Sequence, residues 1–191
     1  FGPLGMTATR FVPPTSWHDS IAPTEVDTFF RHRLLIGEVH DESAARLGGV
    51  SGNAGLFSNA PDLARFAKWL LAERAKPDSV YESCTDAGPC SPSLSGPIVR
   101  AFTHRQDIPS GSSRALGWDT PSDLSSAGTK MGPNAFGHTG YTGTSIWFDP
   151  DRGVFIILLT NRVNPTRANI KILQVRRRVA DLVNDALTPP Q

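Results

Sequence analysis

The chain has 191 residues, of which 39% are hydrophobic, and a formal net charge of +1. That length holds one ordinary domain or two closely packed lobes with a real core. The near-neutral balance excludes the strongly basic footprint of a nucleic-acid binder, and no window approaches the roughly 18 consecutive apolar residues of a membrane span.

Residues 1–60 are rich in Gly, Pro and Asn. Arg33-Leu34-Leu35-Ile36-Gly37 reads as a short strand or a tight connection, and Gly48, Gly49, Gly52 and Gly55 mark sharp turns or close backbone approach. His40-Asp41-Glu42 invites a metal or acid/base reading. Adjacent strand residues point to opposite faces, however, and the preferred reading is a helix start capped by Asp41. The clearest helix follows, with Asn59 as N-cap, Pro61 and Asp62 in the first turn and an apolar face of Leu63, Phe66, Ala67, Leu70 and Leu71. Pro77 marks its end.

Residues 77–93 form a polar insertion. Its Cys84 and Cys90 suit a small disulfide-closed loop in an oxidising compartment, or two free thiols, and lack the further ligands of a zinc site. Ile98, Val99 and Phe102 suggest a short second helix, 104–114 a loop, and Ala115–Asp119 a short strand or ordered turn. Three strands are expected over Ala135–Tyr141, Thr144–Asp149 and Val154–Thr160, with a hairpin turn at 149–153. The unbroken apolar run Val154–Leu159 predicts burial on both faces. A closing helix is expected from Thr166 to Leu187, with Ile170, Leu173, Val179, Leu182, Val183 and Leu187 as its apolar stripe. Arg162, Arg167, Lys171, Arg176, Arg177 and Arg178 are read as a solvated face. Trp118 and Trp147 are read as core more readily than as pocket lining.

The run Phe136-Gly137-His138-Thr139-Gly140-Tyr141-Thr142-Gly143-Thr144, leading into two β-rich segments and a helix, resembles the back half of a serine β-lactamase or penicillin-binding protein, where a Lys-Thr-Gly or His-Thr-Gly strand walls the active site. Further blocks carry the resemblance along nearly the whole chain: Pro3-Leu4-Gly5-Met6, Val39-His40-Asp41, Gly48 to Ser58, Leu116-Gly117-Trp118-Asp119 and Leu159-Thr160-Asn161-Arg162. In the second glycine-rich block Asn53 replaces a histidine of the family pattern.

The resemblance implies an α/β (α+β) fold of the β-lactamase/transpeptidase type. Residues 1–130 would form part of a helical lobe with connecting loops, and 131–191 the antiparallel strands and C-terminal helix of the sheet domain. It implies acyl-enzyme chemistry on ester, amide or D-amino-acid peptide bonds, without cofactor or metal. The backbone N–H of Tyr141 would be an oxyanion donor, and His138, Thr139, Gly140 and Thr142 would line the substrate cleft. His138 stands where Lys is more common and carries charge only when protonated.

The expected nucleophile motif, Ser-x-x-Lys, is missing. The residues three before Lys68, Lys76, Lys130 and Lys171 are Arg65, Glu73, Ala127 and Ala168. Ser51-Gly52-Asn53 spells the family's second motif but lies downstream of its place and is read as chance. With an opening that lacks Met, these observations lead to the expectation of a C-terminal fragment whose N-terminal half supplies the nucleophile. The full protein would act on a small or peptide-like acyl substrate in the periplasm or outside the cell; a non-catalytic ligand-binding module is the alternative.

Overall fold

The computed structural model describes residues 1–78, 93–123 and 125–187; Cys84 and Cys90 lie outside them. In chain order the elements are β1 (Arg10–Phe11), β2 (Glu25–Asp27), β3 (Arg33–Leu35), α1 (Glu42–Arg46), β4 (Leu56–Phe57), α2 (Ala60–Ala75), α3 (Gly96–Thr103), β5 (Phe136–Thr139), β6 (Ser145–Asp149), β7 (Val154–Leu158) and α4 (Ile172–Leu187). β1 pairs with β4, β2 with β3, and β5, β6 and β7 form one antiparallel sheet in sequence order. The expected order of strands is therefore found, with each of these three strands shorter than its expected span.

The caps are those the sequence indicates. Asp41 accepts from the Ala44 amide at 2.7 Å, and Asn59 from the Asp62 amide at 2.9 Å. Asp62 is itself buried and accepts from the Ala8 amide and the Thr9 hydroxyl. The first turn of α2 thereby ties down the start of the chain, a tertiary role beyond capping.

The register sorts side chains between two faces of the sheet. Phe136 pairs with Phe148, and Phe148 with Phe155. This face packs with Ala67 and Leu70 of α2 and Val99 of α3. Phe136 and Phe148 stack with ring centroids 4.7 Å apart, and Trp118 meets both edge-on. On the other face Trp147 is buried and its indole N–H donates to Ser126 Oγ at 3.0 Å. Trp147 is thus a core residue, and half-buried Trp118 packs against the core.

Two expectations need correction. Of the five residues of β7 only Ile156 is buried, the others being half-buried, because β7 has a ladder partner on one side only among the described residues. The helix starts at Ile172, and of the stripe forecast for it only Val179 and Val183 are even half-buried. Ile170, Leu173, Leu182 and Leu187 are exposed, and the buried row is Ile172, Arg176, Ala180 and Asn184. That row follows the i+4 spacing of one helix face. It carries two polar side chains because each has a hydrogen-bonding task on the sheet side.

Asp149 shows such a task. Fully buried at the end of β6, it accepts from the Gly132 amide at 3.0 Å and from Arg152 Nε at 2.8 Å, and Arg152 continues to Asn184 of α4. Burial pushes its carboxyl up, but the Gly132 N–H and the Arg152 guanidinium outweigh burial and hold it below the usual carboxylate range. A depressed group stabilises the fold at neutral pH and ceases to do so as pH falls through its folded value. Asp149→Ala is expected to lower the unfolding free energy by about 2 kcal/mol at neutral pH. The gap from the parent should narrow below about pH 4. Urea unfolding at the two pH values checks this; a gap independent of pH would assign the loss to packing alone.

Candidate active site

The site is built where β5 runs out. Gly137 has room for no side chain: a Cβ there would strike the Trp147 ring and the Ile146 carbonyl. On its other side, Gly137 exchanges both backbone hydrogen bonds with Asp119, at 2.8 and 2.9 Å. Strand alternation then turns the N–H and C=O of Thr139 toward that same outer edge. The Gly140 amide turns inward to Thr144 O at 2.7 Å. Tyr141 faces out again, and its N–H donates to no group among the described residues. At Gly140 a Cβ would collide with Thr144 Oγ1, and Gly143 has φ +122°, so both glycines are needed for this tight turn.

The Asp119 bridge also delivers a cation. Arg114 pairs with Asp119 across the turn that contains Gly117, and its Nη1 reaches His138 Nε2 at 3.2 Å. His138 Nδ1 lies 3.0 Å from Thr139 O. Together the contacts fit the Nδ1–H tautomer: Nδ1 donates to the carbonyl and Nε2 accepts from the guanidinium. His138 is exposed, Thr139, Gly140 and Thr142 are half-buried, and Tyr141 is exposed. All five residues drawn from the sequence therefore lie on one strand end and turn.

Three arginines that the sequence reading left in solvent or in loops belong to this locale. Arg114 is the first. Arg162 stacks over the Tyr141 ring at 4.1 Å, donates from Nε to Tyr141 O at 2.7 Å, and gives its own amide to Thr142 O at 2.8 Å. Arg176 crosses from α4 to Gly140 O and Thr144 O, both at 2.7 Å. The solvated-face reading of the basic run is wrong for Arg176. The trace that could have revealed it is its place in the row 172, 176, 180 and 184. Arg114 carries no such sequence trace.

Behind Tyr141 lies a buried ion cluster. Its ring packs on His40 with centroids 4.9 Å apart. His40 Nε2 sits 3.3 Å from Glu25 Oε2 without forming a hydrogen bond. Arg167 Nη2 binds both oxygens of Glu25, at 2.9 and 3.0 Å, and Glu42 at 3.1 Å. Burial pushes His40 below the ordinary histidine range. The Arg167 and Arg31 charges work in the same direction, and Glu25 and Glu42 against it. Asp41 serves as the α1 cap, so the His40-Asp41-Glu42 triplet is spread over packing, capping and ion pairing. The Ser51 hydroxyl donates to Asn53 Oδ1 at 2.5 Å within its own exposed loop.

Comparison with known proteins gives a consistent picture. The Beta-lactamase family model matches residues 1–181. A "Putative D-alanyl-D-alanine carboxypeptidase" of Escherichia coli (strain K12) is 32% identical over 180 residues, covering 85% of this chain and 38% of the relative. A protein of the same name from Salmonella typhi is 33% identical over 189 residues, covering 90% of this chain and 40% of the relative. The chain thus spans about two fifths of the length of these curated relatives. Among solved structures, a beta-lactamase from Mycobacterium bovis matches with TM-score 0.59 at 19% identity, covering 98% of this chain and 53% of that one. A penicillin-binding protein homolog from Caulobacter crescentus matches with TM-score 0.54 at 21% identity, covering 96% and 50%. These two show the shared α+β fold. The family match over residues 1–181, together with the fold, establishes that this chain belongs to the beta-lactamase family.

Proposed function

We propose that the chain forms the cleft-side, C-terminal part of a serine hydrolase that works through an acyl-enzyme on ester, amide or D-amino-acid peptide bonds, the nucleophile and its base being supplied by polypeptide that precedes Phe1. The observation that carries this reading is the unbonded Tyr141 N–H at the open end of β5, beside the exposed His138–Arg114 pair. When a serine oxygen attacks the acyl carbon, negative charge gathers on the former carbonyl oxygen, and a fixed N–H at that point stabilises it. The serine's own N–H would be the second donor.

The outward-facing groups of Thr139 and Tyr141 pair with the substrate main chain as an added strand, and Thr142 closes the turn end of the cleft. The fixed positive charge at this wall belongs to Arg114, whose guanidinium is held in place by its hydrogen bond to His138 Nε2. A cation there favours acyl donors that end in a free carboxylate. That agrees with the names of the relatives and makes a D-alanyl-D-alanine peptide the preferred substrate class. A cell-wall substrate of this kind supports a reading in which the protein works in the periplasm or outside the cell.

The 191-residue chain alone is expected to turn over neither a chromogenic cephalosporin nor a short p-nitrophenyl ester, because an oxyanion donor cannot begin covalent catalysis without a nucleophile. Turnover that survives purification to homogeneity would defeat the proposal. The longer polypeptide should form a penicilloyl adduct visible by mass spectrometry; binding without any adduct would favour the ligand-binding module instead.

In that longer protein, Arg114→Gln should raise KM for a D-alanyl-D-alanine peptide by about tenfold and leave the uncharged ester within about twofold. His138→Ala should lower kcat/KM by more than tenfold, about 1.4 kcal/mol, with an unaltered melting temperature. A parallel fall in melting temperature would make His138 a structural residue.

A further inference from the structure

Arg176 is a costly residue for a helix interior. It is 6% exposed, and among the described residues no carboxylate pairs with it. Its Nε is buried without a hydrogen-bond partner. A buried cation lacking a counter-ion opposes folding. Burial, and secondly the nearby charge of Arg162, disfavour its cationic form. Neither carbonyl that it binds needs it for satisfaction. Gly140 O already accepts from the Gly143 amide at 3.1 Å, and Thr144 O from the Gly140 amide at 2.7 Å.

What Arg176 reaches is specific. The Gly140 carbonyl and the Tyr141 N–H are the two ends of one peptide group. Arg176 Nη2 donates a charge-assisted hydrogen bond, 2.7 Å long, to the oxygen end. The nitrogen end faces the cleft unbonded. A donor on the oxygen draws electron density through the conjugated amide and makes the N–H at the far end a stronger donor.

We infer that Arg176 polarises the Gly140–Tyr141 peptide from behind, and so acts as a positioning residue that strengthens the Tyr141 N–H toward a developing oxyanion. This rests on the oxyanion role proposed for Tyr141. The guanidinium does not touch substrate. It acts through one peptide unit, and its charge needs no titration because arginine stays protonated. The second hydrogen bond, to Thr144 O at 2.7 Å, anchors the guanidinium across the mouth of the turn.

The test uses Arg176→Met, which keeps length and removes the donor, and Arg176→Lys, which restores a cation. In the 191-residue chain, Arg176→Met should move the Tyr141 amide nitrogen and proton resonances upfield, as expected when the preceding carbonyl loses a donor. In the longer, nucleophile-bearing protein it should lower kcat about tenfold with KM within about twofold. The melting temperature should be unchanged or higher, because an uncompensated buried charge has gone. The infrared stretch of the acyl-enzyme carbonyl should rise, and Arg176→Lys should recover part of each change. An unmoved Tyr141 resonance, an unmoved carbonyl stretch, or a loss of kcat that tracks a fall in melting temperature overturns the inference. Replacing Tyr141 by its α-hydroxy acid exchanges the N–H for an ester oxygen and keeps the side chain. If that replacement leaves the stretch and kcat unchanged, the oxyanion reading itself fails. If it alters both while Arg176→Met alters neither, only the role of Arg176 fails.

Discussion

A side chain at position 137 would run into the Trp147 indole, and that exclusion ties β5 to β6 in a single register. Everything at the site follows from it. A slip of one residue would move each side chain of β5 to the opposite face. It would put His138 against the indole and Phe136 away from the Phe148 stack. With the register fixed, the glycine's own backbone is free to bind Asp119, and Asp119 brings Arg114 to the strand end. Packing on one face and chemistry at the edge are thus set by the same missing methyl group.

The fold was legible where local rules act alone. Asn59 and Asp41 cap helices as their types require, and the turn at 149–153 joins two strands as its Asp and Gly content suggests. The His-Thr-Gly run could be placed because strand, turn and strand follow in close order. Legibility failed where partners are distant in sequence. The basic run from Arg162 to Arg178 is a plausible solvent face by composition. Arg176 and Arg167 are drawn inward by carbonyls and carboxylates 32 to 142 residues away. Helix α4 misled for the same reason. Its leucines lie outside, while the row facing the sheet includes Arg176 and Asn184, chosen for what they bind and not for hydrophobicity. Arg114 could not be found in advance because its position depends on a two-residue bridge between segments that share no pattern.

The turn after β5 is held by guanidinium groups from two directions. Arg162 arrives from the segment after β7 and takes Tyr141 O, while Arg176 arrives from α4 and takes Gly140 O and Thr144 O. Main-chain carbonyls point toward these cations, and the main-chain N–H of Tyr141 is left without a partner among the described residues. Such an arrangement fixes dipoles in advance of any ligand, at the expense of placing like charges near one another. The Glu25–Arg167 pair and His40 brace the same turn through the Tyr141 ring. The amino-terminal hairpin therefore contributes to a site with which it shares no strand.

The open stretch of β5 has a second consequence. Unpaired strand edges invite other chains to join them, and long flat edges lead to aggregation. On β5 the exposure is confined to the N–H groups of Thr139 and Tyr141, because Thr139 O accepts from His138 Nδ1 and Tyr141 O from Arg162 Nε. Asp119 already occupies the edge at Gly137, and the turn at Gly140 ends the strand immediately afterwards. Arg114 and His138 crowd the approach with polar groups. An incoming strand of another molecule would find too few hydrogen bonds to offset its loss of entropy, whereas a short ligand needs only these. The brevity of this edge on β5 limits what another strand could gain there, and it suits a short ligand of the kind proposed above.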